Sequence, residues 1–394
     1  MKLDRKVCVL GVGMTKFYKP GQKDYPELAK EAGEAALKDA GVDYAQIQQA
    51  FVGYVYGDST CGQRALYPLG LSGIPIFNVN NNCATGSTAL MLGYQAVGAG
   101  ASECVLALGF EKMEKGSLGL KFPDRTIPLD RHFLVLTRLQ EFTAAPPAAQ
   151  LFGGAAREHM ERHGTTREQL AGVAVKNRRH GQSNDRAQFR EALTLEQILA
   201  SPPIHDPLTR FQCCPTTDGS AAAVLCSEEF AKKMGVSNPV TLAAMALTTD
   251  GPATFDPPSM IAMVGHEMAQ RAANEVYRDS GFGAEDVSVI ELHDCFTSNE
   301  LISYEALGLC KEGESGRLIS DGATTYGGKW VVNPSGGLLS KGHPLGATGL
   351  AQTFELTEQL RGRCGARQVE GARVGMQHNI GLGGACVVAI YQRN

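Results

Sequence analysis

Asn78-Val79-Asn80-Asn81-Asn82-Cys83-Ala84-Thr85-Gly86-Ser87 joins a polar, turn-forming asparagine run to a helix-forming apolar run, Ala89-Leu90-Met91-Leu92. The pattern predicts Cys83 at a helix N-terminus. There the helix dipole and the unpaired first-turn N–H groups favour a thiolate, the reactive form of cysteine. The competing reading is a buried, inert thiol, because free cysteine is among the most buried residue types. The partners that the rest of the chain supplies decide between the two.

Outward from this stretch the chain repeats itself. Shifted by 240 positions, Glu27-Leu28-Ala29 matches Glu267-Met268-Ala269, Lys38-Asp39 matches Arg278-Asp279, and Gly41 matches Gly281. The first segment reads as an amphipathic helix over Tyr25 to Ala40 with Gly41 as its C-terminal stop. Beyond the stop the register continues into strand-like runs, with Ile47 over Val287 and Val52 over Leu292. The opening strand, Lys6 to Gly13, has its counterpart in Val240 to Met245. Two similar βα halves follow from this register. A second echo pairs Cys83-Ala84-Thr85-Gly86 with Gly346-Ala347-Thr348-Gly349. Each half thus offers a helix N-terminus, and only the first carries a cysteine.

The segment from Glu111 to about Arg210 loses this alternation. It holds a Pro/Ala-rich stretch, Ala144 to Pro147, and a basic helical patch of Lys176, Arg178, Arg179 and His180. It reads either as a solvated insertion or as a substrate-covering subdomain with cations near an anionic ligand. Ala221 to Cys226 then returns to strand character and closes the first half.

At 394 residues the chain is too long for one simple core. With 43% hydrophobic residues and a net charge of -4, its composition is that of a soluble globular protein. The basic residues are dispersed, so no nucleic-acid footprint is visible. No apolar run approaches the ~20 residues needed to span a bilayer. The strand-like run from Lys6 leaves no signal-peptide pattern ahead of it. Eleven cysteines without a C-x-x-C spacing suggest a reducing compartment and no metal site. Gly11-Val12-Gly13 is followed by Lys16 where a dinucleotide loop needs its third glycine, which argues against a nucleotide cofactor.

Chemistry gathers at three further loops. The β-rich run Val287 to Leu292 ends in His293-Asp294-Cys295-Phe296, ahead of a helix from about Ser298. In parallel α/β sheets ligands lie beyond the carboxyl ends of strands, so this His and Cys sit where a site is expected. Asn333 to Gly346 is loop-forming almost throughout and carries Gly342-His343-Pro344. The loop Gln377 to Gly384 also ends a strand, with backbone N–H groups free to point into a cavity. Cys386, in the apolar run after it, reads as core. Two cysteines and two histidines on three of these four loops, with no Gly-x-Ser-x-Gly, argue for thiol-based acyl or carbanion chemistry.

These motifs, with Gly11 to Phe17, Ala107 to Met113 and Gln212 to Thr216, resemble the thiolases over nearly the whole chain, and specifically those of the sterol carrier protein X type. The resemblance implies an α/β thiolase fold: two βαβαβαββ halves in an αβαβα layered core, with an inserted loop domain. The corresponding division is 1–118 and 210–236 for the first half, 119–209 for the loop domain over coenzyme A, and 237–394 for the second half. Ordinary thiolases carry Asn-Glu-Ala-Phe on the second loop and a cysteine on the fourth. Here the second loop reads His293-Asp294-Cys295-Phe296 and the fourth has no cysteine, a departure that marks the sterol-carrier subfamily.

By that resemblance Cys83 is the nucleophile, His343 assists its deprotonation, and Cys295 is the acid/base. His293 and His343 stabilise an enolate, and Gly381 to Gly384 with the Cys83 N–H form a second oxyanion site. Asp294 and Lys341 are structural or surface groups. The implied activity is 3-ketoacyl-CoA thiolysis, including 2-methyl-branched or sterol-derived chains, with coenzyme A as co-substrate, no bound cofactor, and a homodimer. The rivals are a retro-aldolase of steroid side chains, which lacks the nucleophilic cysteine, and a non-catalytic acyl-CoA or lipid carrier, which needs neither cysteine. A eukaryotic source implies a peroxisome, reached by a signal absent from the closing residues Tyr391-Gln392-Arg393-Asn394; otherwise the cytoplasm is expected.

Overall fold

In the computed structural model, which describes residue 3, residues 5–113 and residues 121–393, the repeat read from the sequence becomes a repeat of topology. Strands β1 (Val7–Met14), β2 (Gln49–Gly53), β3 (Ile76–Val79) and β4 (Cys104–Glu111) precede a small hairpin, β5 (Pro203–His205) and β6 (Leu208–Thr209). Then follow β7 (Gly219–Ser227), β8 (Val240–Thr248), β9 (Val289–Glu291), β10 (Val331–Val332), β11 (Val374–Gly381) and β12 (Ala385–Gln392). The first half runs β3-β2-β4-β7-β1 and the second β10-β9-β11-β12-β8. Numbered within each half, both orders are 3-2-4-5-1. An antiparallel pairing of Val7 to Val9 with Val240 to Leu242 joins β1 to β8, so the halves share one ten-stranded sheet.

The 240-residue register holds through the local stops. Asp24 caps the helix Tyr25–Ala40, which ends at Gly41 in the left-handed region (φ 67°). Its counterpart His266–Ser280 ends at Gly281 (φ 77°). Glycine has no Cβ to clash there, which makes it the usual helix stop.

Strand composition follows from burial on both faces. Val7 and Val9 of β1, with Val387, Ala389 and Tyr391 of β12, point into a central core. Cys8 and Leu10 point to the outer core of the first half, and Cys386, Val388 and Ile390 to that of the second. A strand covered on both sides reads as a continuous apolar run rather than an alternating one. Helices Thr85–Gly98 and Thr348–Arg361 fill the central layer and pack on each other, while Tyr25–Ala40 and His266–Ser280 form the outer layers. Cys386 is core, as its neighbours suggested.

The irregular middle is built differently from its sequence reading. Its basic patch lies on the helix Arg167–Gly181, where Lys176, Arg178 and His180 are all buried. Lys176 is ion-paired to Glu300. Arg178 stacks on Phe189 at 4.3 Å, and His180 Nδ1 lies 3.0 Å from the Asn333 carbonyl, to which it donates. Only Arg179 of the four reaches the surface, bonded to Thr325. The patch is therefore packing under the second half rather than a set of free cations. The boundary expected at 118/119 lies outside the described residues. Among the described residues no helix is long and apolar enough to cross a membrane.

Candidate active site

Cys83 sits in the turn between β3 and the helix Thr85–Gly98, two residues ahead of the first helical residue. The asparagines of its stretch build that turn. Asn82 adopts φ 49°, a conformation Asn tolerates better than most residues, and its side chain donates to the Leu382 carbonyl at 2.9 Å. The Asn81 N–H donates to Thr85 Oγ1 at 2.8 Å, and Asn82 N–H to Asn80 Oδ1 at 3.0 Å. The fourth loop closes over the turn at Gly381, where any side chain would run into the Asn81 carbonyl oxygen.

The expected thiolate is not what this environment favours. Burial pushes the Cys83 thiol up to about 12, with the nearby Glu111 carboxylate adding to the rise. The N–H groups of Leu382 and of Cys83 itself pull the other way but do not compensate. Desolvation outweighs the helix terminus, so Cys83 rests as a thiol and needs a base.

That base is at hand. Cys83 Sγ and one ring nitrogen each of His293 and His343 all lie within 4.8 Å of one another, and the two rings meet edge to face at 4.9 Å. This is also the one set among the described residues spaced to hold a metal ion. Burial pushes the His343 imidazole down to about 3, and His293 far below its ordinary value, so both rings are neutral. Thr348 Oγ1 donates to the Pro344 carbonyl at 2.9 Å and must accept from His343 Nδ1 at 2.7 Å. Nε2 of His343 is thereby left with its lone pair, buried and without a partner. It is the proton acceptor that a neutral thiol requires.

Cys295 lies on the link between β9 and the helix Thr297–Ala306. Its carbonyl accepts from the Cys214 N–H at 2.9 Å, beside a Cys213–Phe296 bridge. Burial raises its thiol well above the ordinary value, and the Cys214 and Cys83 thiols add to the shift. A neutral thiol is a proton donor. Its loop is held by Asp294, whose carboxylate accepts from Leu338 N–H at 2.7 Å, Leu339 N–H at 3.2 Å and Asn177 Nδ2 at 2.8 Å. Lys341 is likewise interior, paired with Glu291 at 3.1 Å. Both are structural groups of the core, not of the surface.

Of the four residues singled out from the sequence as catalytic, Cys83, His293 and His343 are brought to one buried place, and Cys295, also buried, lies near enough for its thiol to be shifted by that of Cys83. The fourth-loop glycines divide: Gly381 lies against the Cys83 turn, Gly384 faces Asp250, and the N–H that this loop gives the Cys83 sulfur is that of Leu382. Sequence reasoning missed Asn379, which donates to His293 Nδ1 at 2.9 Å, and Thr348. It also missed Glu111, which binds the N–H groups of Tyr56 and Gly346 at 2.9 Å each. Burial pushes the Glu111 carboxyl up to about 7. Asn379 stood inside a quoted loop and Thr348 inside the repeated Ala-Thr-Gly, so position was the available signal.

Two family models match the chain. Residues 7–229 match the family model for the thiolase N-terminal domain, and residues 258–393 that for the thiolase C-terminal domain-like region. Sterol carrier protein 2 of Oryctolagus cuniculus is 58% identical over 392 residues, covering 98% of this chain and 72% of its own length. Among solved structures, an Ltp2-ChsH2(DUF35) aldolase aligns with a TM-score of 0.84 at 24% identity, covering 100% of this chain and 99% of that one. Human mitochondrial 3-ketoacyl-CoA thiolase in complex with CoA aligns with a TM-score of 0.75 at 20% identity, over 100% and 99%. At such identities the two structures speak for the fold alone.

Proposed function

The chain belongs to the thiolase family, in its sterol-carrier-protein branch, and from that premise we propose that it is a 3-ketoacyl-CoA thiolase working through an acyl-Cys83 intermediate. The observation that carries the reading is the buried cluster of Cys83 Sγ with one ring nitrogen each of His293 and His343, together with the unpartnered Nε2 of His343. An acyl-CoA carrier has no use for such a cluster, and a retro-aldolase has none for the nucleophile.

In the first half-reaction His343 Nε2 takes the Cys83 proton as the sulfur attacks C3 of the 3-oxoacyl-CoA. The C2–C3 bond breaks and its electron pair passes to the thioester enolate. The enolate oxygen is held by N–H donors of His293 and the protonated His343, and C2 receives the Cys295 proton. Acetyl-CoA or propionyl-CoA leaves. In the second half-reaction the Cys295 thiolate takes the proton of free coenzyme A, whose sulfur attacks the acyl-Cys83 thioester. The departing Cys83 sulfur recovers its proton from His343. Backbone N–H groups beside Cys83, in the 381–384 loop, serve the carbonyl oxygen of this step.

Branched and bulky acyl chains are the proposed substrates, within a degradative β-oxidation role. The rabbit relative's name, sterol carrier protein 2, supports this, as does an apolar wall of Met113, Leu345, Val55 and Tyr56 around Cys83. The segment 119–209 is proposed to cover the coenzyme A, and a peroxisomal setting to supply the substrates. A homodimer is proposed along the edge strand β3, where Phe77 is 47% and nearby Leu71 81% exposed. The test is thiolysis of a 3-ketoacyl-CoA by wild type, Cys83→Ala and Cys295→Ala. Turnover lost in both variants, with an acyl adduct on Cys83 found by mass spectrometry, supports the reading. Carbon–carbon cleavage that survives Cys83→Ala overturns it in favour of the aldolase.

A further inference from the structure

The two active-site histidines have the same ring and burial but need opposite tautomers, because one must accept a proton at Nε2 and the other must donate a hydrogen bond. For His343 the Thr348 hydroxyl settles the matter. For His293 the determinant lies further away, in a buried chain that crosses between the two halves.

The chain starts from a group that can only accept. The Gly349 carbonyl faces Gln377 at 2.6 Å, so the Gln377 atom there is its NH2. That NH2 also reaches Ser87 Oγ at 2.9 Å and, further off, Gln352 Oε1 at 3.2 Å, so its two protons go to the two nearer acceptors, Gly349 and Ser87, while Tyr391 OH donates to Gln377 Oε1 at 2.6 Å. Ser87 therefore accepts from Gln377 and spends its single proton on Asn379 Oδ1, 2.8 Å away. This turns the Asn379 NH2 toward His293 Nδ1 at 2.9 Å. A nitrogen that accepts a hydrogen bond carries no proton, so the proton of neutral His293 is on Nε2. Ser87, Gln377, Asn379 and Tyr391 are all fully buried, out of reach of bulk solvent. Space for the chain comes from Gly349, where a side chain would strike Ser87 and come within 2.9 Å of Asn379 Oδ1.

We propose that Asn379, oriented by Ser87, Gln377 and Tyr391, is a positioning residue that locks His293 as the Nε2–H tautomer and so makes it the enolate donor. The inference rests on the thiolase reading for its consequence, though not for the tautomer itself. The helix N-terminus of the first half supplies Ser87, and the strand β11 of the second supplies Asn379.

The decisive variants are Asn379→Asp and Ser87→Ala, studied in the full chain. A carboxylate in place of the Asn379 amide accepts from Nδ1–H, which moves the His293 proton off Nε2 and leaves a lone pair facing the enolate oxygen. Nitrogen NMR of histidine-labelled protein, with the His293 signal assigned through His293→Gln, reads the tautomer directly. Two partial reactions read the consequence: exchange of acetyl-CoA α-protons in D2O, which needs the enolate, and acylation of Cys83 by acyl-CoA, which does not use His293. In Asn379→Asp at pH 9 exchange is expected to fall roughly 10²–10³-fold, the loss typical of one oxyanion donor, with acylation within about tenfold of wild type. As the pH falls and the His293 ring, now paired with a carboxylate, takes a second proton, Nε2–H returns and the deficit relative to wild type shrinks. Ser87→Ala is expected to give mixed tautomers and about a tenfold loss of exchange alone.

An unchanged Nε2–H signal in Asn379→Asp, unaltered exchange, or acylation falling in step with exchange would each overturn the proposal. A wild type that neither acylates nor exchanges refutes the thiolase reading instead, while the NMR signals still decide the tautomer.

Discussion

Lys176→Met is the substitution whose effect follows most directly from the buried network beneath the second loop. The Lys176 ammonium gives its three protons to Glu300, to Tyr304 OH at 3.2 Å and to the Val332 carbonyl at 3.2 Å. Glu300 is fully buried, and its other oxygen accepts from Asn177 and Asn333 at 2.8 and 2.9 Å. Met fills the space but leaves the carboxylate unpaired in the interior, a change that typically costs ~3–5 kcal/mol. The damage should travel, because Asn333 Oδ1 also takes the Leu292 N–H at 2.9 Å, one residue before His293, and Asn177 holds Asp294. Urea unfolding of wild type, Lys176→Met, and the double variant Lys176→Met/Glu300→Gln measures this. The double variant should regain at least half the loss, since a neutral amide still accepts from the two asparagines. Steady-state thiolysis should fall with the single variant and recover in part with the double. A single variant within ~1 kcal/mol of wild type, or a double variant no more stable than the single, would refute the assignment of an essential buried pair.

Other consequences follow from the site. The raised Cys83 thiol should be alkylated by iodoacetamide at a rate that climbs with pH through 9; a plateau between pH 6 and 8 would instead reveal a thiolate–imidazolium pair. Glu111, raised by burial to about 7 against an ordinary 4.5, binds its proton more tightly when folded. Its stabilising effect is full below pH 4.5 and lost as the pH rises to 7. Relative to Glu111→Gln, wild type should therefore gain ~3 kcal/mol of unfolding free energy between pH 8 and pH 4.5, as followed by urea titrations; an equal gain in the variant would place the proton elsewhere. Gly349→Ala, crowding Ser87, should cost about 1–3 kcal/mol and slow α-proton exchange more than Cys83 acylation; a fully active, fully stable variant would show that the helices can separate.

How much of this was legible in the sequence depends on the distance over which each residue acts. Helix stops, strands and the 240-residue register are local signals, and Gly41 and Gly281 do what lone glycines after amphipathic runs do. Cys83, His293, Cys295 and His343 stood out because reactive side chains on turn-rich loops have few structural alternatives. Lys176 misled: its charge on a helix face suggests solvent, and its partner Glu300 lies 124 residues away, where no spacing rule reaches. The same holds for Glu111, whose acid at a strand end looks like surface until the Gly346 N–H is brought to it across 235 residues.

The thiolate expectation failed for a different reason, and that reason explains the design of the site. A helix terminus contributes partial charge, while enclosure in a dry pocket removes water from a full one, and the second effect is the larger here. Desolvation also leaves both histidines neutral, so no group in the resting cluster of thiols and imidazoles carries the charge that the reaction will create. Proton placement then has to be set by hydrogen bonds rather than by titration. The internal repeat supplies the means: its Ala-Thr-Gly gives Thr85, which shapes the Cys83 turn, and Thr348, which sets the His343 tautomer. Where the halves diverge, Cys83 stands in place of the glycine of Gly346-Ala347-Thr348-Gly349, and Ser87 of the first helix reaches across to Asn379. One repeated turn thus yields a nucleophile in one copy and the orientation of its base in the other.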